Sequence, residues 1–115
     1  MSDLIELRDQ MRRFTSDRGW EQFHDPKSLA LALVGEVGEL AELLQWVPAD
    51  EARSLLSAEP RRGRVAEELS DVLIYLVRLA DVLDIDLGTA ARAKLAAADE
   101  RFPANEVFDK APEKR

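Results

Sequence analysis

Residues 64–83 read RVAEELSDVLIYLVRLADVL, and this stretch decides the fold class. Val65, Leu69, Val72, Leu76, Leu79 and Leu83 recur at steps of three and four, the period of one helical face. Leu73, Ile74 and Val77 widen that face past half the circumference, which calls for neighbours on several sides. Upstream, Leu29, Leu33, Val37, Leu40 and Leu44 form a second stripe that runs on to Trp46 and stops at Pro48. Asp25-Pro26 opens it with an N-cap acceptor and a proline at the first helical position. Leu4, Leu7, Met11 and Phe14 predict a shorter helix, opened by Ser2 or Asp3 and closed by Gly19, with Trp20–His24 as a loop. Residues 50–58 read as a short helix and 60–63 as a connector. Asp86 caps a last helix through Leu87, Ala91, Lys94, Leu95 and Ala98, ended by Phe102-Pro103.

No alternating run of strand length interrupts this pattern. The expected fold is all-α, a four-helix bundle. Its most apolar helix exceeds what one small chain covers, so self-association into a dimer or tetramer should complete it. Residues 1–103 make the expected domain and 104–115 a tail lying on the surface.

Composition removes many functions. With 115 residues there is room for one packed core. The absence of cysteine excludes a disulfide scaffold, a zinc ribbon, an iron–sulfur centre and a thiol nucleophile. A single histidine, His24, excludes multi-histidine metal sites. Sixteen basic against 23 acidic residues give a net charge of −7, which argues against binding a nucleic-acid polymer. No apolar run reaches the ~20 residues of a membrane span, and residues 1–13 lack a secretory signal's apolar stretch. The expected compartment is the cytoplasm.

Four acids stand where a core would not put them. Glu36 and Glu39 interrupt one apolar helix, and Glu68 and Asp71 the other, each pair at i, i+3 on one face. Antiparallel packing of the two helices would bring all four together. Four carboxylates in a partly dry site repel and lose hydration unless protons or cations join them. An all-oxygen donor set favours a hard cation, Mg²⁺ with Mn²⁺ as substitute, over zinc or iron. Magnesium fills out its shell from water and substrate phosphates, which points to a polyphosphate substrate. Glu42 and Glu67 read as ordinary surface acids.

Aromatic residues are scarce, at 6%, so their placement is informative. Trp46 follows Glu39 by seven residues, Tyr75 follows Asp71 by four, and Trp20 and His24 precede the first acid helix. They are candidates to wall a pocket for a planar base, with core packing as the plainer alternative. Gly35 and Gly38 each cost a helix roughly 1 kcal/mol relative to alanine, and leave room for a close neighbour or a ligand.

The stretches WEQFHDPKSLALALVGEVGELAELLQW (residues 20–46) and EELSDVLIYLVRLAD (residues 67–81) closely resemble the MazG-like all-α NTP pyrophosphatases, most of all their dCTP pyrophosphatase branch. The resemblance spans about residues 14–103. It implies Mg²⁺-dependent hydrolysis of a nucleoside triphosphate between its α and β phosphates, giving monophosphate and pyrophosphate. It implies metal binding by Glu36, Glu39, Glu68 and Asp71, with Glu39 as the acid that orients or deprotonates the attacking water. It further implies that Trp20, His24, Trp46 and Tyr75 contact the nucleotide, and that Lys94 and Arg101 serve as basic residues near it. The branch commonly reads Lys-x-x-x-Asn-x-x-Arg-Tyr-Pro where this chain has Ala98 and Phe102 in place of Asn and Tyr. The resemblance therefore implies one polar contact to the nucleotide fewer than in the branch, and an expected substrate that is dCTP or a modified pyrimidine nucleotide rather than dCTP alone. Two other readings stay open: a non-catalytic helical dimerisation module, and the same fold acting on dUTP or a damaged purine nucleotide.

Overall fold

The computed structural model describes residues 2–112. They are helical, with no strand among them. The chain divides into two compact units, one ending at Ile85 and one starting at Asp86. The first holds α1 (Asp3–Asp17), a 3₁₀ turn (Glu21–Phe23), α2 (Pro26–Leu44), α3 (Ala52–Leu56) and α4 (Arg61–Val82). The second holds α5 (Leu87–Arg101) and the single turn α6 (Ala104–Val107), so part of the expected tail is helical.

Side-chain caps set the starts of α1, α2 and α5. The Ser2 hydroxyl accepts from the Ile5 N–H at 3.2 Å. Asp25 accepts from the Ser28 N–H at 2.9 Å and from its hydroxyl at 2.7 Å. Asp86 accepts from the Thr89 N–H at 3.0 Å. Each takes up a donor that the first helical turn leaves without an intrahelical partner. Gly19, at φ +63°, ends α1 in the left-handed region that a side chain disfavours. Two boundaries differ from the sequence reading. α4 begins at Arg61, because the Glu59 carboxylate accepts from the Gly63 N–H at 3.1 Å and draws the expected connector into the first turn. α2 ends at Leu44, so Trp46 lies beyond it.

Helix α4 is the hub of the first unit: α2 packs along it most extensively, and α1 and α3 also lie against it. His24, just before α2, meets Arg78 near the end of α4, whereas Glu36 and Glu39 in mid-α2 meet Glu68 earlier in α4. The two helices therefore run antiparallel. Leu29, Val77 and Ala80 form the buried apolar core, joined by Thr15 and Arg78. That core is small for the apolar surface available. Leu31 and Val34 on α2 remain 64% and 66% exposed, and Leu69 on α4 is 52% exposed. The wide apolar face of α4 is thus only partly covered within one chain.

Candidate active site

The antiparallel pairing of α2 and α4 brings Glu36, Glu39 and Glu68 together, one carboxylate oxygen from each within 4.8 Å of the others. Oε2 of Glu36 and Oε2 of Glu68 are buried and have no hydrogen-bond partner among the described residues. Burial pushes the Glu36 carboxyl above its ordinary range, and the charges of Glu39 and Asp71 push it further. Glu68 is raised in the same way, by burial first and then by Glu39, with Glu36 and Asp71 adding to it. Buried carboxylate oxygens without donors are costly. A hard divalent cation would remove both the repulsion and the missing contacts, and three oxygen donors suit one. Asp71 stands outside this close group but still acts on it electrostatically.

Glu36 and Asp71 also line one end of a cavity of about 400 Å³. That volume suits a small-molecule ligand. Trp20, His24 and Tyr75 are among its other walls, so three of the four expected pocket residues share one space with two of the acids. Phe14, which the sequence stripe assigns to the α1 core, is an exposed wall of this cavity instead. Its ring meets Trp20 edge-to-face at 5.8 Å, and the Arg18 guanidinium lies 3.7 Å from its centroid. Trp46 is not among the lining residues and is 86% exposed. Lys94, Ala98 and Arg101 stand on α5, in the second unit. A Cβ added at Gly35 or Gly38 would meet nothing within 4 Å among the described residues, so neither glycine serves a close approach there. Glu42 and Glu67 are exposed, as ordinary surface acids should be.

The sequence reading missed a polar network at the other end of the cavity. Arg78 is buried, and its Nε donates to His24 Nδ1 at 2.9 Å. Its Nη1 donates to Asp81 at 3.1 Å. Asp81 also accepts from Nε of Arg12 on α1 at 2.8 Å, and pairs with the same guanidinium through its other oxygen. The Arg12 hydrogen bond, together with the charges of Arg12 and Arg78, holds the Asp81 carboxyl below its ordinary range. Burial, and then the Arg78 charge, hold His24 below its ordinary range. The one available signal was an arginine inside the most apolar stretch of the chain.

Comparison with known proteins gives a consistent picture. A model of the MazG nucleotide pyrophosphohydrolase domain matches residues 24–105. The Bos taurus and Homo sapiens proteins named dCTP pyrophosphatase 1 are each 47% identical, over 100 and 102 residues. Those alignments cover 87% and 89% of this chain but 59% and 60% of the relatives, so the chain spans about three-fifths of their length. A crystal structure of a pyrophosphatase from Archaeoglobus fulgidus matches with a TM-score of 0.81 and 40% identity, covering 90% of this chain and 94% of that one.

Proposed function

The chain belongs to the MazG nucleotide pyrophosphohydrolase family, and from that premise we propose that it hydrolyses a nucleoside triphosphate to monophosphate and pyrophosphate. The favoured substrate is dCTP or a modified pyrimidine deoxynucleotide, in keeping with the relatives named dCTP pyrophosphatase 1. The observation that carries this reading is the pair of buried, partnerless oxygens of Glu36 and Glu68 beside Glu39, at the edge of a ligand-sized cavity. A non-catalytic module has no use for such a cluster, since its only effect there would be to weaken the fold.

Glu36, Glu39, Glu68 and Asp71 would hold Mg²⁺ or, as a substitute, Mn²⁺. When bound, such a cation would neutralise triphosphate charge and supply Lewis-acid activation of the phosphoryl group. Glu39 is exposed on the solvent side of the cluster and takes the role of orienting, or accepting a proton from, the attacking water. The water oxygen bonds to the α phosphorus as the bond to the bridging oxygen breaks, and pyrophosphate leaves. Trp20, His24 and Tyr75 form the wall for base and sugar. Trp46 joins them in this proposal only if a second copy of the chain supplies or orders it. Lys94 and Arg101 are assigned to phosphate contacts on the resemblance alone.

The working unit is a homo-oligomer, dimer or tetramer, supported by the uncovered apolar faces around Leu31, Val34 and Leu69. The domain is taken as residues 1–103 with a tail from 104, and its place as the cytoplasm, acting on free nucleotides rather than nucleic acid. Among the described residues no helix is long and apolar enough to cross a membrane. A panel of canonical and modified NTPs with Mg²⁺, scored separately for pyrophosphate and monophosphate, tests the reading. Pyrophosphate release that is fastest with a cytosine nucleotide is expected. Absence of pyrophosphate across the panel would refute it.

A further inference from the structure

The buried arginine of α4 reaches the cavity through a histidine. Arg78 Nε is a donor only, so the His24 Nδ1 it meets at 2.9 Å must be the acceptor, and the ring proton lies on Nε2. Arg78 is itself held, because Asp81 accepts from it and is gripped by Arg12 across the α1–α4 interface. Nε2 is then the one ring nitrogen still open to a ligand, on a residue that lines the cavity. Position along α4 says which part of a nucleotide it meets. Arg78 lies seven residues, about 10 Å of helix rise, beyond Asp71. With the phosphates drawn to the acid end, this end faces the base, between Trp20 and Tyr75.

We propose that Arg78 is a positioning residue for base recognition: anchored by Asp81 and Arg12, it holds His24 as the Nε2–H tautomer, which donates to a carbonyl acceptor on the base. The inference rests on the nucleotide reading given above. The groups around the imidazole are consistent with it. Arg78 approaches from α4 with Asp81 behind it, Glu21 acts from the 3₁₀ turn, and Glu36 and Asp71 line the same cavity. Burial and the Arg78 charge outweigh Glu21 and keep the ring uncharged at neutral pH. A fixed, uncharged donor suits a carbonyl and would not draw the phosphates away from a cation held by the acids.

His24 is the chain's only histidine, so nitrogen-15 NMR of the untagged protein reads its tautomer without assignment. The free parent protein should show a protonated Nε2 and a bare Nδ1, titrating below the ordinary imidazole range. Arg78→Met keeps the apolar stem and removes the donor. It should give mixed tautomers, a titration moved back up, and a KM for dCTP raised about tenfold with kcat within about threefold. In a His24→Ala background the same substitution should change KM no further. Should Arg78→Met fail to fold, Asp81→Asn, which loosens Arg78 but leaves it in place, should move the spectrum in the same direction. An Nδ1–H tautomer in the parent, an unmoved spectrum in the folded variant, or KM effects that multiply in the double variant would overturn the proposal. A parent that turns over dCTP yet shows the wrong tautomer sinks this inference alone. A parent without turnover on any nucleotide sinks the functional reading and the recognition role with it.

Discussion

Glu36 and Glu68 each keep a buried carboxylate oxygen without a partner, and Glu39 and Asp71 add negative charge to both. Glu68→Gln preserves size while removing one charge, so the metal-free variant should unfold at a higher temperature than the parent at neutral pH. The same change should cut turnover by at least the roughly hundredfold that even an outer-shell partner of a metal ligand can cost. Thermal unfolding with and without Mg²⁺ checks both halves: the ion should stabilise the parent and do little for the variant. A less stable metal-free variant would mean that Glu68 is held by favourable contacts. Asp81 has the opposite sign. Its folded pKa lies below its unfolded value of about 3.9, so its stabilising effect is complete above that value and is lost as pH falls through the depressed one. Asp81→Asn should therefore lose less stability than the parent between pH 4 and the depressed value, as followed by acid unfolding. Parallel acid limbs for the two proteins would show that Arg12 and Arg78 do not hold this carboxyl.

At the scale of elements, α2 contains two glycines whose cost is offset by no close packing among the described residues. Gly35 and Gly38 share the outward face of Leu31 and Val34, and a Cβ on either would meet nothing within 4 Å. If a second copy packs on that face, Gly38→Ala should leave helicity intact or improved while weakening association about tenfold, measured by sedimentation equilibrium. Unchanged association with a more stable helix would place Gly38 in solvent. The elements themselves were largely legible, because period and caps are local: Ser2, Asp25 and Asp86 act where their spacing to the apolar stripes puts them. The start of α4 was not, since it depends on the Glu59 side chain folding back on the Gly63 N–H. The acid pairs were legible from helical spacing, but not the separation of Asp71 from the other three acids. Aspartate is one methylene shorter than glutamate and sits a turn further along α4. Behind His24 only Arg78, a charge inside an apolar stretch, gave a signal, because the contacts that join it to His24 and Asp81 to Arg12 span 54 and 69 residues and form only in the fold.

Taken whole, the molecule combines a small buried core with long uncovered apolar faces and a charged cluster at the edge of a cavity. On this reading the uncovered faces ask for a second copy of the chain, and the cluster beside the cavity for a cation and a nucleotide. Sedimentation should find the parent as one species heavier than a single chain, and Val34→Glu should shift it toward single-chain mass by burying a charge in the interface. A parent already at single-chain mass would remove the oligomer from the proposal and leave the acid site standing. The central claim, attack at the α phosphorus, is tested most directly by hydrolysing dCTP with Mg²⁺ in oxygen-18 water and locating the label by phosphorus NMR. The label should appear in dCMP, with unlabelled pyrophosphate formed in equal amount. Label in the pyrophosphate, or dCDP and orthophosphate as the first products, would contradict it.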